Sequence, residues 1–215
     1  VALCPAVCYN EINEKGGDAV AKIEWKGGTL EAPLPPVMVT CGDGEHADIV
    51  TVAWTGIVCT QPPMTYISLR PSRYSYGIIK EKGEFVINLT SSALVRAADW
   101  CGNHTGRKVD KFKECHLTAC PAQHVSAPLL AESPLSLECR VRDVIPLGTH
   151  DMFLAEIVGV DVEDTLLTPD GRLSISRAHL AAFAHGEYFE LGRRIGKFGF
   201  AVRKKQKPLP ERKPQ

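Results

Sequence analysis

Neither sign of charge dominates this chain. Lys and Arg together number 25 and Asp and Glu number 25, so the formal net charge is zero. Without a basic excess there is no field to gather nucleic acid, and no nucleic-acid partner is expected. Long apolar runs are missing as well: no stretch approaches the roughly 18–20 residues needed to cross a bilayer. The start, VALCPAVCYNEINEKGG, shows no basic region followed by a long apolar stretch. No membrane partner is expected, and the cytoplasm is the expected location. The catalytic signatures that carry their own chemistry are also absent. There is no G-x-G-x-x-G after a strand, no G-x-x-x-x-G-K-[ST], no G-x-S-x-G elbow and no C-x-x-C beside a βαβ pattern. Ser, His and Asp are plentiful, but no spacing singles out a triad. A chain with no acid–base signature of its own suits a protein whose chemistry is carried by a cofactor.

What is present is enough for one sizeable domain: 215 residues, of which 44% are hydrophobic. The eight cysteines, Cys4, Cys8, Cys41, Cys59, Cys101, Cys115, Cys120 and Cys139, are read as reduced thiols, because a chain with a full apolar core needs no disulfide staples. Cys101, His104, Cys115, His116, Cys120 and His124 crowd one region, but their irregular intervals lack the tight pairs of structural zinc. No metal is expected.

Residues 1–28 are interrupted by Gly16-Gly17 and Gly27-Gly28 and read as an N-terminal extension, with one possible strand over Ala21–Trp25. The domain proper is expected over 29–204. From Pro33, three apolar, β-branched runs are separated by Gly-Asp-Gly and Gln-Pro-Pro turn chemistry, the pattern of a strand meander. A helix over Ser72–Lys82 should stop at Gly83, and Glu84–Leu89 is a strand. Ser91–Trp100 is a second helix, capped by serine. SLECRVRDVIPLG and HDMFLAEIVGVDVED form a hairpin across Gly148-Thr149. The last residues, 205–215, are charged and proline-rich and read as a flexible tail. Strands dominate and helices are few and short, so the expected class is mainly β, an antiparallel barrel with helical insertions.

Three stretches could carry function. In RPSRYSY, Ser72 sits where a helix would be capped, with Arg73 and Ser75 in its first turn; amide donors, hydroxyls, a cation and the helix dipole are the parts of an anion site. A plain cap flanked by solvated arginines explains the same residues. Asp48–Gly56 reads as one strand with Thr51 and Thr55 flanking Trp54. It is either a half-buried strand or a wall for a planar ring, and periodicity does not choose. The loop GNHTGRKVDKF is either a mobile surface loop or a place where Lys111 meets an anionic ligand.

In order along the chain, ADIVTVAWTGIVCTQPPMTYISLRPSRYSYGIIKEKGEFVINL, DWCGNHTGRKVDKF, APLLAESPLSLECRV, LGTHDMFLAEIVGV and GEYFELGRRIGKFGFAVRK resemble the flavin reductase-like proteins, and among them the flavoredoxin-type branch. The resemblance covers roughly Pro33 to Lys204. It implies an FMN-binding split β-barrel, with FMN held non-covalently near the interface of a homodimer. It also implies roles. Thr51, Val52, Ala53, Trp54 and Thr55 would meet the isoalloxazine, Ser68, Leu69 and Arg70 would lie beside the ring and ribityl chain, and Ser72, Arg73 and Ser75 would hold the phosphate. Asn88 would close the pocket, Lys111 would lie near the flavin or its phosphate, and His150 would position an incoming nicotinamide. Two activities follow from the resemblance: a reductase taking hydride from NADH or NADPH, or an electron carrier reduced by a redox protein.

Overall fold

A computed structural model describes residues 22–202. Residues 22–31 carry no regular element, so the strand expected at Ala21–Trp25 is not formed over residues 22–25; Ala21 lies outside the described residues, as does the tail expected at 205–215. Among the described residues no helix is long and apolar enough to cross a membrane.

From residue 32 onward the chain is built on an antiparallel sheet of seven strands. In chain order these are β1 (Val37–Cys41), β2 (Asp48–Val52), β3 (Thr55–Thr60), β4 (Pro63–Leu69) and, after helix α1 (Tyr74–Lys82), β5 (Glu84–Leu89). Helices α2 (Val95–Asn103) and α3 (Lys111–Glu114) and the short pair β6 (Ala119–Cys120) and β7 (Leu129–Leu130) precede the long hairpin β8 (Leu135–Pro146) and β9 (Asp151–Val162). A last hairpin, β10 (Ala181–Ala184) and β11 (Glu187–Glu190), completes the set.

The spatial order is β2-β1-β5-β8-β9-β4-β3. β2 and β3 are consecutive in sequence yet occupy opposite edges of the sheet, joined only by Ala53-Trp54. A link that short brings the two edges together only if the sheet curls round on itself. The result is an antiparallel barrel that stays open between β2 and β3: a split β-barrel, as expected. At the corner the β3–β4 pairing continues one step further, where Ser68 N–H donates to the Trp54 carbonyl at 2.9 Å. The single strand expected over Asp48–Gly56 is thus two strands with a corner between them, and the expected meander is two hairpins at opposite edges of the sheet.

Alternation explains the core. Val37, Val39, Cys41, Val50, Val52, Ile67, Leu69, Phe85, Ile87 and Phe153 point into the barrel, where Ile79 of α1 joins them. Met38 and Ile49 point outward and are covered by Leu94, Ala98 and Cys101 of the α2 region. β1 is therefore buried on both faces, which is why VMVTC reads as a continuous apolar run rather than an alternating one. Helix α1 ends at Gly83, whose left-handed φ of 69° lets its N–H reach the Ile79 carbonyl at 2.9 Å. It begins later than expected: its N-cap is Arg73, with no side-chain cap, so Ser72 is not the capping residue. Ser92–Leu94 form a 3-10 turn before α2 rather than a serine-capped first turn.

Candidate functional site

Two cavities meet behind the β2–β3 corner. The larger, about 470 Å³, is lined by Thr51, Val52, Ala53 and Trp54 from the corner, Ser68, Leu69 and Arg70 from the end of β4, and His150. The smaller, about 250 Å³, is lined by Arg70, Ser72, Arg73, Tyr74 and Ser75, with His104, Thr105 and Lys111 opposite. Val50, Arg70 and Arg73 border both, so the two are contiguous. Residues read from three separated stretches of sequence thus converge on one place.

The smaller cavity sits at the start of α1. The first N–H groups of a helix have no intrahelical acceptor, and they carry the positive end of its dipole. Arg73 is held across the cavity by donating from Nη1 to the Gly102 carbonyl at 2.9 Å. Ser72 is exposed and borders this space, whereas Ser75 is buried and donates from Oγ to Asp48 Oδ2 at 2.5 Å. The Ser75 hydroxyl proton is therefore committed to Asp48, leaving its backbone N–H as the donor it can offer to a ligand.

Asp48 organises this floor. It is 2% exposed, and its Oδ1 lies 3.3 Å from the Nζ of Lys111, itself 4% exposed. Lys111 Nζ also donates to the Ile49 carbonyl. Lys111 borders the smaller cavity as half of a neutral buried pair rather than as a free cation. The charge that remains available at this end comes from Arg70 and Arg73, both exposed. The loop that closes over Asp48 requires glycine at 106. A Cβ there would stand 2.3 Å from Asp48 Oδ1 and 2.7 Å from Tyr74 Cδ1, closer than real Cβ atoms approach.

At the mouth of the larger cavity Trp54 and His150 lie nearly parallel, 6° apart with ring centroids 6.3 Å apart. Burial, and then the neighbouring Arg70 guanidinium, push the His150 imidazole below its ordinary range, so the neutral ring is the form favoured here. Thr149 Oγ1 lies 3.0 Å from its Nδ1. Trp54 remains 42% exposed and presents an open aromatic face.

Two expected site residues are elsewhere. Asn88 is fully buried, donating from Nδ2 to the Met38 carbonyl and Thr40 Oγ1 and accepting at Oδ1 from Leu130 N–H and Ser136 Oγ. With all its hydrogen-bonding capacity spent on β1, β7 and β8, it ties these strands to β5 and lines neither cavity. Thr55 is buried and donates to the Tyr66 carbonyl at 2.6 Å, turned away from both cavities because the corner at Ala53-Trp54 reverses the pleat. The sequence reading missed the opposite wall: Asp99 and Asn103 of α2, with Phe183, Gly186 and Tyr188 of the β10–β11 hairpin. A signal existed. His185-Gly186, both at positive φ (49° and 89°), forms a tight turn between AAFA and EYFE. Tyr188 donates to Asp99 Oδ1 at 3.3 Å; burial, then Asp99, raise its phenol.

A family profile described as flavin reductase like domain matches residues 29–192. The chain belongs to that family. As a flavin reductase-like protein it is similar to the flavoredoxin of Desulfovibrio vulgaris (Miyazaki F), with 35% identity and a TM-score of 0.79 over 85% of this chain and 100% of that one. It is also 34% identical, over 63% of its length and 70% of the relative's, to an NADPH-flavin oxidoreductase of Streptomyces viridifaciens. An uncharacterized Aeropyrum pernix protein is 32% identical over 61% of this chain, which spans about half, 51%, of that relative's length.

The cavities fit the flavin that this family implies. The larger offers apolar surface from the Trp54 indole and Phe183 for a flat ring. The smaller gathers arginine, hydroxyl and helix N-terminal donors suited to a phosphate.

Proposed function

We propose that this chain is a homodimeric, cytoplasmic FMN-binding flavoprotein, an NAD(P)H-dependent reductase that passes electrons to free flavin or another acceptor. The carrying observation is the pair of contiguous cavities, one anion-binding in its chemistry and one bordered by the exposed Trp54 indole, in a flavin reductase-like chain. FMN, when bound, supplies the two-electron redox chemistry that the side chains lack. Arg73, Ser72 and the first N–H groups of α1 hold the phosphate. Thr51 to Trp54 and Ser68 to Arg70 wall the ring. The neutral His150, parallel to Trp54, positions the nicotinamide at the open mouth without itself moving a proton. Ile57 and Val58 on edge strand β3, 64% and 50% exposed, supply apolar surface for a second copy.

A second reading, an electron carrier reduced by a redox protein, is favoured by the likeness to a flavoredoxin over that protein's full length. Stopped-flow mixing of the FMN-loaded protein with NADH and NADPH under anaerobic conditions separates the two. Bleaching of the flavin band by either nucleotide is expected. No bleaching by either nucleotide, with rapid reduction by dithionite, would overturn the reductase reading in favour of the carrier. Failure to bind FMN at all would overturn both.

A further inference from the structure

The flavin site makes no use of the sulfur chemistry immediately behind it. Cys101, in the last turn of α2, and Cys115, directly after α3, have their Sγ atoms 3.7 Å apart. Cys101 is fully buried and Cys115 half-buried, within an apolar cluster that includes Ala98, Trp100, Phe112 and Leu117. Among the described residues no other pair of sulfurs is in contact. A disulfide needs a separation of ~2.05 Å, so each sulfur has to move less than about 1 Å.

The two cysteines belong to elements that frame both cavities. The residue after Cys101 is Gly102, whose carbonyl holds Arg73, and α3 begins with Lys111, the partner of Asp48. Between them runs the loop that carries His104 and Thr105 to the smaller cavity. His116 follows Cys115 at a positive φ of 54°, and Cys115 is the more accessible of the two thiols.

We propose that Cys101 and Cys115 form an oxidative modification site, closing to a disulfide under hydrogen peroxide and bracing α2 against α3. Cys115, the half-buried thiol, reacts first: its thiolate sulfur bonds to one peroxide oxygen as the O–O bond breaks, and the departing hydroxide takes a proton to leave as water. The thiolate of Cys101 then attacks the Cys115 sulfenic sulfur. The S–S bond forms, the S–O bond breaks, and a second water leaves. In sum, the two thiols give two electrons and two protons to one peroxide, yielding one disulfide and two waters. Burial raises both thiols above their ordinary range, with the Lys111 ammonium partly opposing it, so closure is slow near neutrality and quickens as pH rises.

The test uses the full chain, reduced with dithiothreitol, desalted, exposed to hydrogen peroxide, then denatured, alkylated and digested for mass spectrometry. The expected result is a peptide carrying Cys101 joined to the peptide carrying Cys115, lost again on dithiothreitol treatment. Cys115→Ser should leave Cys101 alkylatable. Full alkylation of both cysteines after peroxide, over-oxidation of Cys115 with Cys101 untouched, or linkage of either to another cysteine would overturn the proposal. The linked wild-type protein should melt several degrees above its reduced form, a shift absent from Cys115→Ser. An unchanged or lower melting point in the linked form would overturn the bracing role. Peptide mapping reads the same with or without FMN, so its failure is separable from failure of the flavin reading.

Discussion

Lys111 and Asp48 form an ion pair 3.3 Å long whose side chains are 3% and 2% exposed. The pair sits beneath the smaller cavity and is sealed by Ser75 Oγ on one carboxylate oxygen and by the Ile49 carbonyl on the ammonium. Breaking such a pair strands a buried charge, which is far costlier than the net worth of the pair itself.

Lys111→Met should therefore lower stability by about 3–5 kcal/mol, through the unpaired Asp48 carboxylate. Adding Asp48→Asn to that variant should restore part of the loss. Urea unfolding of the two single variants and the double variant gives the coupling energy. A double variant less stable than Lys111→Met would contradict the pairing.

Gly106→Ala places a methyl group against Asp48 and Tyr74. Because Asp48 is held by Ser75 and Lys111, the loop has to move, at a cost of about 1–3 kcal/mol. Thermal unfolding should fall accordingly, and FMN affinity should weaken as Thr105 and His104 shift. Wild-type values for both would mean that the loop accommodates a side chain after all.

The anion site separates FMN from its dephosphorylated form. Ser72→Ala combined with Arg73→Ala should weaken FMN by about 2–3 kcal/mol, roughly 30- to 150-fold, by removing charge-assisted hydrogen bonds. Riboflavin, lacking the phosphate, should lose little. Fluorescence titration with both ligands is the check; equal losses for the two would move the phosphate elsewhere.

His150 makes a pH-dependent contribution. Its folded-state affinity for a proton is depressed by burial and Arg70, so the unfolded chain takes up a proton that the folded chain resists. The resulting stability is fully present above the ordinary imidazole value of 6.5 and is lost as pH falls through the lower folded-state value. His150→Gln should flatten that part of the stability profile and raise the KM for a nicotinamide more than it lowers kcat. An unchanged KM would assign His150 a structural role alone.

Much of the barrel was legible from the chain. Glu84–Leu89 and the two long strands joined at Gly148-Thr149 were readable because β-branched runs bounded by glycine state their own limits. The stop at Gly83 was readable because a left-handed C-cap favours glycine. The Ala53-Trp54 corner was not, since Asp48–Gly56 is uniformly strand-like and a corner between two edges is imposed by closure of the whole sheet. Asn88 was misplaced for a related reason: a buried amide bonded to three neighbouring strands and a pocket amide look the same in one dimension.

By itself the sequence determined a mainly β chain, the turns that punctuate it, and a convergence of hydroxyl and arginine residues suited to an anion. These are local matters of periodicity, backbone conformation and side-chain chemistry. Only the tertiary structure decided which polar groups stay free for a ligand. Ser75 and Lys111 are claimed by Asp48, Asn88 by the sheet, and the far wall of the cavity comes from a hairpin more than a hundred residues away. Burial forces polar groups to find partners at whatever sequence distance the fold supplies them, and that pairing cannot be read before the chain has folded.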